Sequence, residues 1–518
     1  MSKHQAQSPL PVAKDYGAFH LDWLMMRLEV DPKEYLDLKR FRAFKASTTD
    51  LNKKVEFALS QAAFVHETRH FHDVFGTRAG INFFLARLSV LQEFVQLAKV
   101  LFEKRKPWVL PVTKASKSDL PPEAWRFLQH ALKMNQIFTR FQGKLPSIIS
   151  DEIPEQPVPH VSQLREEALE SMIYAFPARA MRVTAKGKQI PAIQHIPIAF
   201  DALLEGNAQV MQRNMIETLW GKEVADQMFL LTGVTLREPE GGAAHAPTYN
   251  ATDLMVTRYM QNATGNGQFP RNALLALTDV ALTVSILITR NPDGTHAVGF
   301  QCPGHSFVDR LGKTKPEAIR AGNIEPPLDE GYRQLHDYYA ALPSFETVDE
   351  TMAGPAADIE VVFRWVGRAV IAPLLEARLS THHQLFSDGA LWISRLSTLP
   401  PVPFRIKADG TCISSAPRRV IEAWLRIRMI ERFLAQLITG EPAILCPRAH
   451  KTAPGIEKVN FAHTGDCGEY IAADLCGRFQ AGMPLTALPD CRFRDHLLLL
   501  GFAMPGRKKK SRAASSQR

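Results

Sequence analysis

One helix constrains this chain more than any other segment. From Asp50, a residue suited to cap a helix N-terminus, to Phe75 just before Gly76, the sequence keeps helical spacing. Val55, Leu59 and Ala62 form an apolar stripe on it, and the stripe runs on into His66, His70 and Asp73. Phe57, Phe64 and Phe71 form a neighbouring stripe, so the helix is expected to pack on two sides. A core-facing stripe that turns into two histidines and a carboxylate puts polar groups where burial costs free energy. A bound metal ion would offset that cost.

The same stretch, AAFVHETRHFHD, contains the pattern HExxH as His66, Glu67 and His70. At about 3.6 residues per turn the two histidines stand one turn apart on one face, so both imidazoles reach a single ion. Glu67 points in a neighbouring direction, where a general base takes a proton from metal-bound water without being a ligand itself. The cofactor expected from this donor set is Zn2+.

The 518 residues are 45% hydrophobic, enough to bury a large core, and the length suits two or more domains. Lysine and arginine total 62 against 53 acidic residues, a formal charge of +9, but part of the excess sits in Arg507, Lys508, Lys509, Lys510 and Arg512. That stretch reads as a solvated basic tail, and nucleic-acid contact is not expected anywhere else in the chain. Residues 1–14 are polar and lack the charged start and apolar run of a secretion signal. The longest apolar stretch, residues 273–288, is short for a bilayer and carries Asp279 in its middle. With six widely spaced cysteines, the chain reads as a cytoplasmic protein with reduced thiols and no membrane span.

Hydrophobic periodicity predicts helices near residues 21–44, 50–75, 81–103, 121–141, 163–176, 198–220, 255–260, 272–288, 332–341, 357–380 and 418–438. Residues 151–160 read as a proline-rich connector, and 180–185 with 189–196 as a short β-hairpin around Lys186, Gly187 and Lys188. The expected class is mainly α with minor β. A metal-binding domain with a helical insertion is expected over 1–325, a mostly helical C-terminal domain over 326–505, and a disordered basic tail over 506–518. Glu325, Pro326 and Pro327 mark the best boundary.

Around HETRH the sequence resembles the zincin metallopeptidases, and the likeness covers this helix and the segment LLEGNAQ at residues 203–209. Metzincins carry their third ligand six residues after the second histidine, and that position is Gly76, which counts against this branch. Gluzincins take a glutamate from a later helix, in a Glu-Gly-x-Ala or Glu-x-x-Ala setting, and Glu205, Gly206 and Ala208 match it. The resemblance implies a zincin-like domain of gluzincin type. His66, His70 and Glu205 would hold zinc, Glu67 would act as base, and an activated water would attack the amide carbonyl of a peptide or protein substrate.

Gly206 would let two helices approach closely, and Gln209 stands where many gluzincins carry an acidic residue that orients a histidine ligand. Asp201, Glu205, Gln209 and Gln212 share one polar stripe, which suits a solvated face as well as a cleft. Asp73 and His72 are the alternative ligands. Asp279 reads either as a carboxylate supporting the metal site or as a buried helix-to-helix hydrogen bond. His245, Tyr249, Tyr259 and His305 are candidates for stabilising an oxyanion.

Other readings compete. Glu67 and His70 form a Glu-x-x-His pair of the kind that holds two irons in helical bundles, yet no other histidine has a glutamate three residues before it. Cys446, Cys467, Cys476 and Cys491, with His450 and His463, have the composition of a structural zinc site, but none forms a CxxC pair. A non-catalytic helical scaffold with a structural or vestigial metal is the third. Residues from Tyr332 onward carry no catalytic motif and are assigned to substrate or partner recognition.

Overall fold

The structure is a computed structural model. It describes residues 17–20, 24–28, 43, 45–104, 112–144, 148–150, 158–160, 173–183, 189–231, 235–237, 243–245, 247–284, 287–288, 299–324, 335, 337, 354–406 and 412–439.

In chain order the elements that matter are β1 (Gly17–His20), β2 (Met25–Leu28), α1 (Leu51–Gly76), α2 (Arg78–Lys104), α3 (Pro122–Gln142), β3 (Ile148–Ser150), β4 (Val158–His160), β5 (Ile173–Val183), β6 (Gln189–Ile198), α4 (Phe200–Trp220) and α5 (Lys222–Leu231). They continue with β7 (Thr235–Arg237), β8 (Ala243–His245), α6 (Pro247–Thr264), α7 (Arg271–Val284), β9 (Leu287–Ile288), β10 (Gly299–Phe300), α8 (Pro303–Lys313), α9 (Pro316–Ala321), α10 (Pro355–Val366), α11 (Ala372–Ser380), α12 (Gly389–Arg395), β11 (Phe404–Ile406), β12 (Cys412–Ser414) and α13 (Arg418–Thr439). Helix dominates and strands are minor. No helix among the described residues is long and apolar enough to cross a membrane.

The described residues fall into two compact units, one drawn from within Met1–Ala86, Asn135–Phe345 and Trp365–Pro417, the other from within Arg87–Met134, Glu346–Arg364 and Arg418–Arg518. The boundary expected at residues 325–327 lies outside the described residues, as do the basic tail and the cluster of Cys446, Cys467, Cys476 and Cys491.

In the first unit α1 lies along α4 and also meets α5, while α4 packs on α6 and α7. The Asp50 side chain caps α1 by accepting from the Asn52 backbone N–H at 2.9 Å. From Val65 to Gly76 every residue of α1 is buried, so this half of the helix is enclosed on all sides rather than amphipathic. The approach of α6 to α4 depends on Gly206, because a Cβ there would lie 2.1 Å from Thr252 Oγ1. Gly76 has a similar role against α1's surroundings, since its missing side chain leaves room for the Phe386 ring, 2.3 Å from where a Cβ would stand.

Two four-stranded sheets flank these helices in the first unit, ordered β1-β2-β11-β12 and β3-β6-β5-β4. In the second, β5 and β6 pair antiparallel from Tyr174 opposite Ile198 to Val183 opposite Gln189, which is the expected hairpin in longer form; its turn lies outside the described residues. β6 runs into α4 through Ala199, so the hairpin sets where α4 begins. Three expected helices are corrected. Residues 287–288, expected to end a helix over 272–288, form β9, paired antiparallel with β10. Residues 25–28 are strand, because Leu24, Met26 and Leu28 are buried at every second position, the period of a pleat. Residues 173–176, expected at the end of a helix over 163–176, open β5 instead, where backbone pairing with β6 outweighs a short helical pattern; residues 163–172 lie outside the described set.

In the second unit α13 is tied to α10 by a two-pronged pair, with Arg426 Nη2 and Nε donating to the Asp358 carboxylate at 2.7 and 2.9 Å. Arg87 reaches Glu431 at 3.2 Å, and His130 pairs with the buried Glu93.

Candidate metal centre

His66 and His70 leave α1 one turn apart and meet Glu205 from α4. His66 Nε2 stands 2.9 Å from His70 Nε2 and 3.1 Å from Glu205 Oε2, and His70 Nε2 stands 3.5 Å from Glu205 Oε1. A tetrahedral zinc ion with ligand bonds of about 2.0–2.1 Å requires donors about 3.3 Å apart, and these three separations bracket that value. The donor set, two imidazoles and a carboxylate, is one zinc accepts with a fourth position left open. Among the described residues this is the one group of three such side chains whose ligand atoms lie within 4.8 Å of one another. Both histidines are buried, whereas the Glu205 side chain is 33% exposed, so the group opens to solvent on the α4 side.

His66 has the partner that the metal-binding tautomer needs. Its Nδ1 lies 3.2 Å from Gln212 Oε1, an acceptor for a ring proton on Nδ1, which leaves Nε2 for a metal. Gln212 thus does for His66 what an acidic residue does elsewhere. Gln209, at the position expected for that role, is buried with no partner for its Oε1. His70 Nδ1 also has none.

Charge in the group follows from packing. Burial disfavours a charged His70, but Glu205 outweighs that and lifts the imidazole to about 9, with smaller help from Glu67 and Asp73. Burial likewise disfavours ionised Glu205, yet His70 and His66 hold its carboxyl far below the usual carboxylate range. Glu67 is buried and its carboxyl is raised by desolvation, against the pull of His66 and His70; the backbone N–H of Phe19 in β1 donates to it. That contact places the carboxyl of the HExxH glutamate between strand and helix. Sequence periodicity carries no sign of it, because a backbone donor leaves none.

The alternative ligands are engaged elsewhere. Asp73 is buried beside Arg69, whose Nε stands 2.9 and 3.0 Å from its two oxygens, and it accepts from Asn207 Nδ2 at 3.1 Å. His72 donates from Nε2 to the Pro400 carbonyl at 2.8 Å and accepts at Nδ1 from Trp392 Nε1 at 3.1 Å, so both ring nitrogens are used. Burial lowers it to about 4, and it is neutral. Asp279 pairs with Arg378 at 3.0 Å, and the same guanidinium donates to the Gly76 carbonyl at 2.7 Å. Asp279 therefore anchors the end of α1 rather than the metal group. Arg69 and Arg378 both lie over the Phe386 ring, 5.0 and 4.8 Å from its centroid, so two buried cations and one ring brace the histidine helix.

Of the oxyanion candidates, Tyr259 donates to the Thr314 carbonyl at 3.0 Å and His305 stacks on Tyr174 at 5.5 Å. The side chains of His245 and Tyr249 lie outside the described residues. One residue outside HETRH and LLEGNAQ stands out. Asp201, one turn before Glu205, is raised by burial to about 7, with Lys144 pulling it down and Glu205 pushing it up.

No family model, curated protein or solved structure matches the chain. The centre is read from its own geometry and chemistry.

Proposed function

We propose that His66, His70 and Glu205 hold a zinc ion and that the protein is a zinc-dependent hydrolase of amide bonds, with a peptide or protein as substrate and Glu67 as general base. The observation that supports this is the meeting of two Nε2 atoms and a carboxylate at 2.9 to 3.5 Å, with Glu67 one residue from the first histidine. When bound, zinc with three protein ligands supplies an open position and lowers the pKa of water there to about 7.

The chain's own residues do the rest. Gln212 fixes the His66 ring so that Nε2 faces the ion. Desolvation raises the Glu67 carboxyl and so makes it a stronger base than a solvated carboxylate, as a group that takes a proton from water and passes it to the departing amine would need. The Phe19 N–H orients that carboxyl without neutralising it.

Metal analysis of purified protein, alongside peptide hydrolysis, tests the reading. His66→Ala is expected to lose zinc; Glu67→Gln is expected to keep zinc and lose at least about a hundredfold in turnover. Equal zinc in wild type and His66→Ala would overturn the site, and full activity in Glu67→Gln would overturn the base.

A further inference from the structure

Buried or half-buried carboxylates in the first unit are generally matched. Asp73 has Arg69 and Asn207, Asp279 has Arg378, and Glu217 has Arg213 and Arg271. Asp201 is the exception. It is half-buried, and no described residue donates a hydrogen bond to it or forms an ion pair with it. Its place in the first turn of α4 suits an acid and recovers part of the desolvation, but no described side chain completes it.

Its place is set by α4. Asp201 and Glu205 are four residues apart, one turn on the same face, which puts their Cβ atoms about 6 Å apart. Asp201 lies close enough to Glu205 and His70 for both their charges to act on it. The lysine whose charge acts on it is Lys144, exposed to solvent just past the end of α3. The turn that carries it is fixed: Gly143 has φ of 82°, and a Cβ there would lie 2.8 Å from the Ala199 Cβ, directly before α4. Lys144 is thus held close enough to attract Asp201 yet remains solvated, a counter-ion that another cation can replace at little cost.

We infer that Asp201 is the specificity residue of this centre and receives a cationic group of the substrate close to the bond that is cut. The inference rests on the hydrolase reading. The cation is either a free α-ammonium or the side-chain ammonium or guanidinium of a basic residue, and both offer the same N–H donors to one carboxylate. A charge-assisted hydrogen bond in a partly desolvated site contributes enough for roughly tenfold discrimination or more against a neutral group of the same shape.

Three hydroxamates, which bind an open zinc position without being turned over, read this directly on zinc-loaded full-length protein: hexanohydroxamate, norleucine hydroxamate and 6-aminohexanohydroxamate. One of the two amines is expected to bind at least roughly tenfold more tightly than the amine-free compound. Advantage for the norleucine compound assigns the α-ammonium; advantage for the aminohexanoyl compound assigns a basic side chain. Asp201→Asn should erase the advantage and Asp201→Glu should retain it, with zinc content measured in each to show that the metal group persists. Equal binding of all three by wild type, or an advantage that survives in a zinc-replete Asp201→Asn protein, overturns the assignment. Failure of every hydroxamate to bind zinc-replete wild type would instead remove the open metal position, and the hydrolase reading with it.

Discussion

Side chains that hold a proton must give it up before they hold a metal, and His70 makes that exchange measurable. Glu205 lifts its imidazole to about 9, so at neutral pH the metal-free centre carries an imidazolium beside a carboxylate. Zinc requires the neutral ring. Between about pH 6.5 and 9, therefore, binding is expected to release about one proton from His70, and zinc affinity is expected to rise about tenfold per pH unit before levelling above 9. Glu205, held ionised throughout by the two histidines, adds nothing to this slope. Calorimetric titration with zinc in buffers of different ionisation enthalpy counts the proton; a value near zero at pH 7 would mean that Glu205 does not control His70.

The two helices that carry the centre are brought together by a small residue, and its replacement separates two opposing effects. Alanine for Gly206 improves helix propensity by about 1 kcal/mol. It also sets a Cβ 2.1 Å from Thr252 Oγ1, and overpacking of that kind costs about 1–3 kcal/mol. The clash should win. Gly206→Ala is expected to lower the urea midpoint and to weaken zinc binding by displacing Glu205. Adding Thr252→Ala removes Oγ1 and leaves only the Cβ at 3.3 Å, so the double variant should recover most of both losses. A Gly206→Ala protein as stable as wild type would show that α4 and α6 have slack. At this scale the sequence was legible where a side-chain pattern has one cause. The Asp50 cap and the HETRH helix follow from spacing, Glu205 as the partner of that helix was named only through the resemblance to gluzincins, and the glycine beside Glu205 has the close approach expected of it. Legibility failed where backbone decides. Residues 25–28 mix leucine, methionine and charge in a way that suits either period until pairing with β1 and β11 selects the strand. The Phe19 N–H on Glu67 has no side-chain signature. Gln212 and Asp201 lay in a polar stripe that suits solvent as well as a site, and only the position of α1 separates the two.

Across the whole molecule, the unit that holds the centre is assembled from three stretches of chain, and its last stretch packs behind the HExxH helix through Arg378, Phe386, Trp392 and Pro400. His72 is the titratable group in that contact. Burial lowers it from 6.5 to about 4, so in the folded state it stays neutral while the unfolded chain takes up a proton. Its contribution to stability is complete above pH 6.5 and is lost as pH falls from 6.5 to about 4, in total about 3 kcal/mol. Asp201 acts in the opposite sense. Its folded value of about 7 lies above the unfolded one near 3.8, so its cost appears as pH rises through that interval and lifts as pH falls. The raw pH profile of unfolding therefore understates His72, and a difference measurement is required. His72→Gln retains a donor for the Pro400 carbonyl but cannot titrate. Its urea midpoint should lie below wild type at pH 7, and the gap should close as pH falls towards 4, because only wild type loses the neutral imidazole. A gap that is constant with pH would mean that His72 is charged in the folded protein, and the Trp392 N–H, which needs a lone pair at Nδ1, would then have no acceptor.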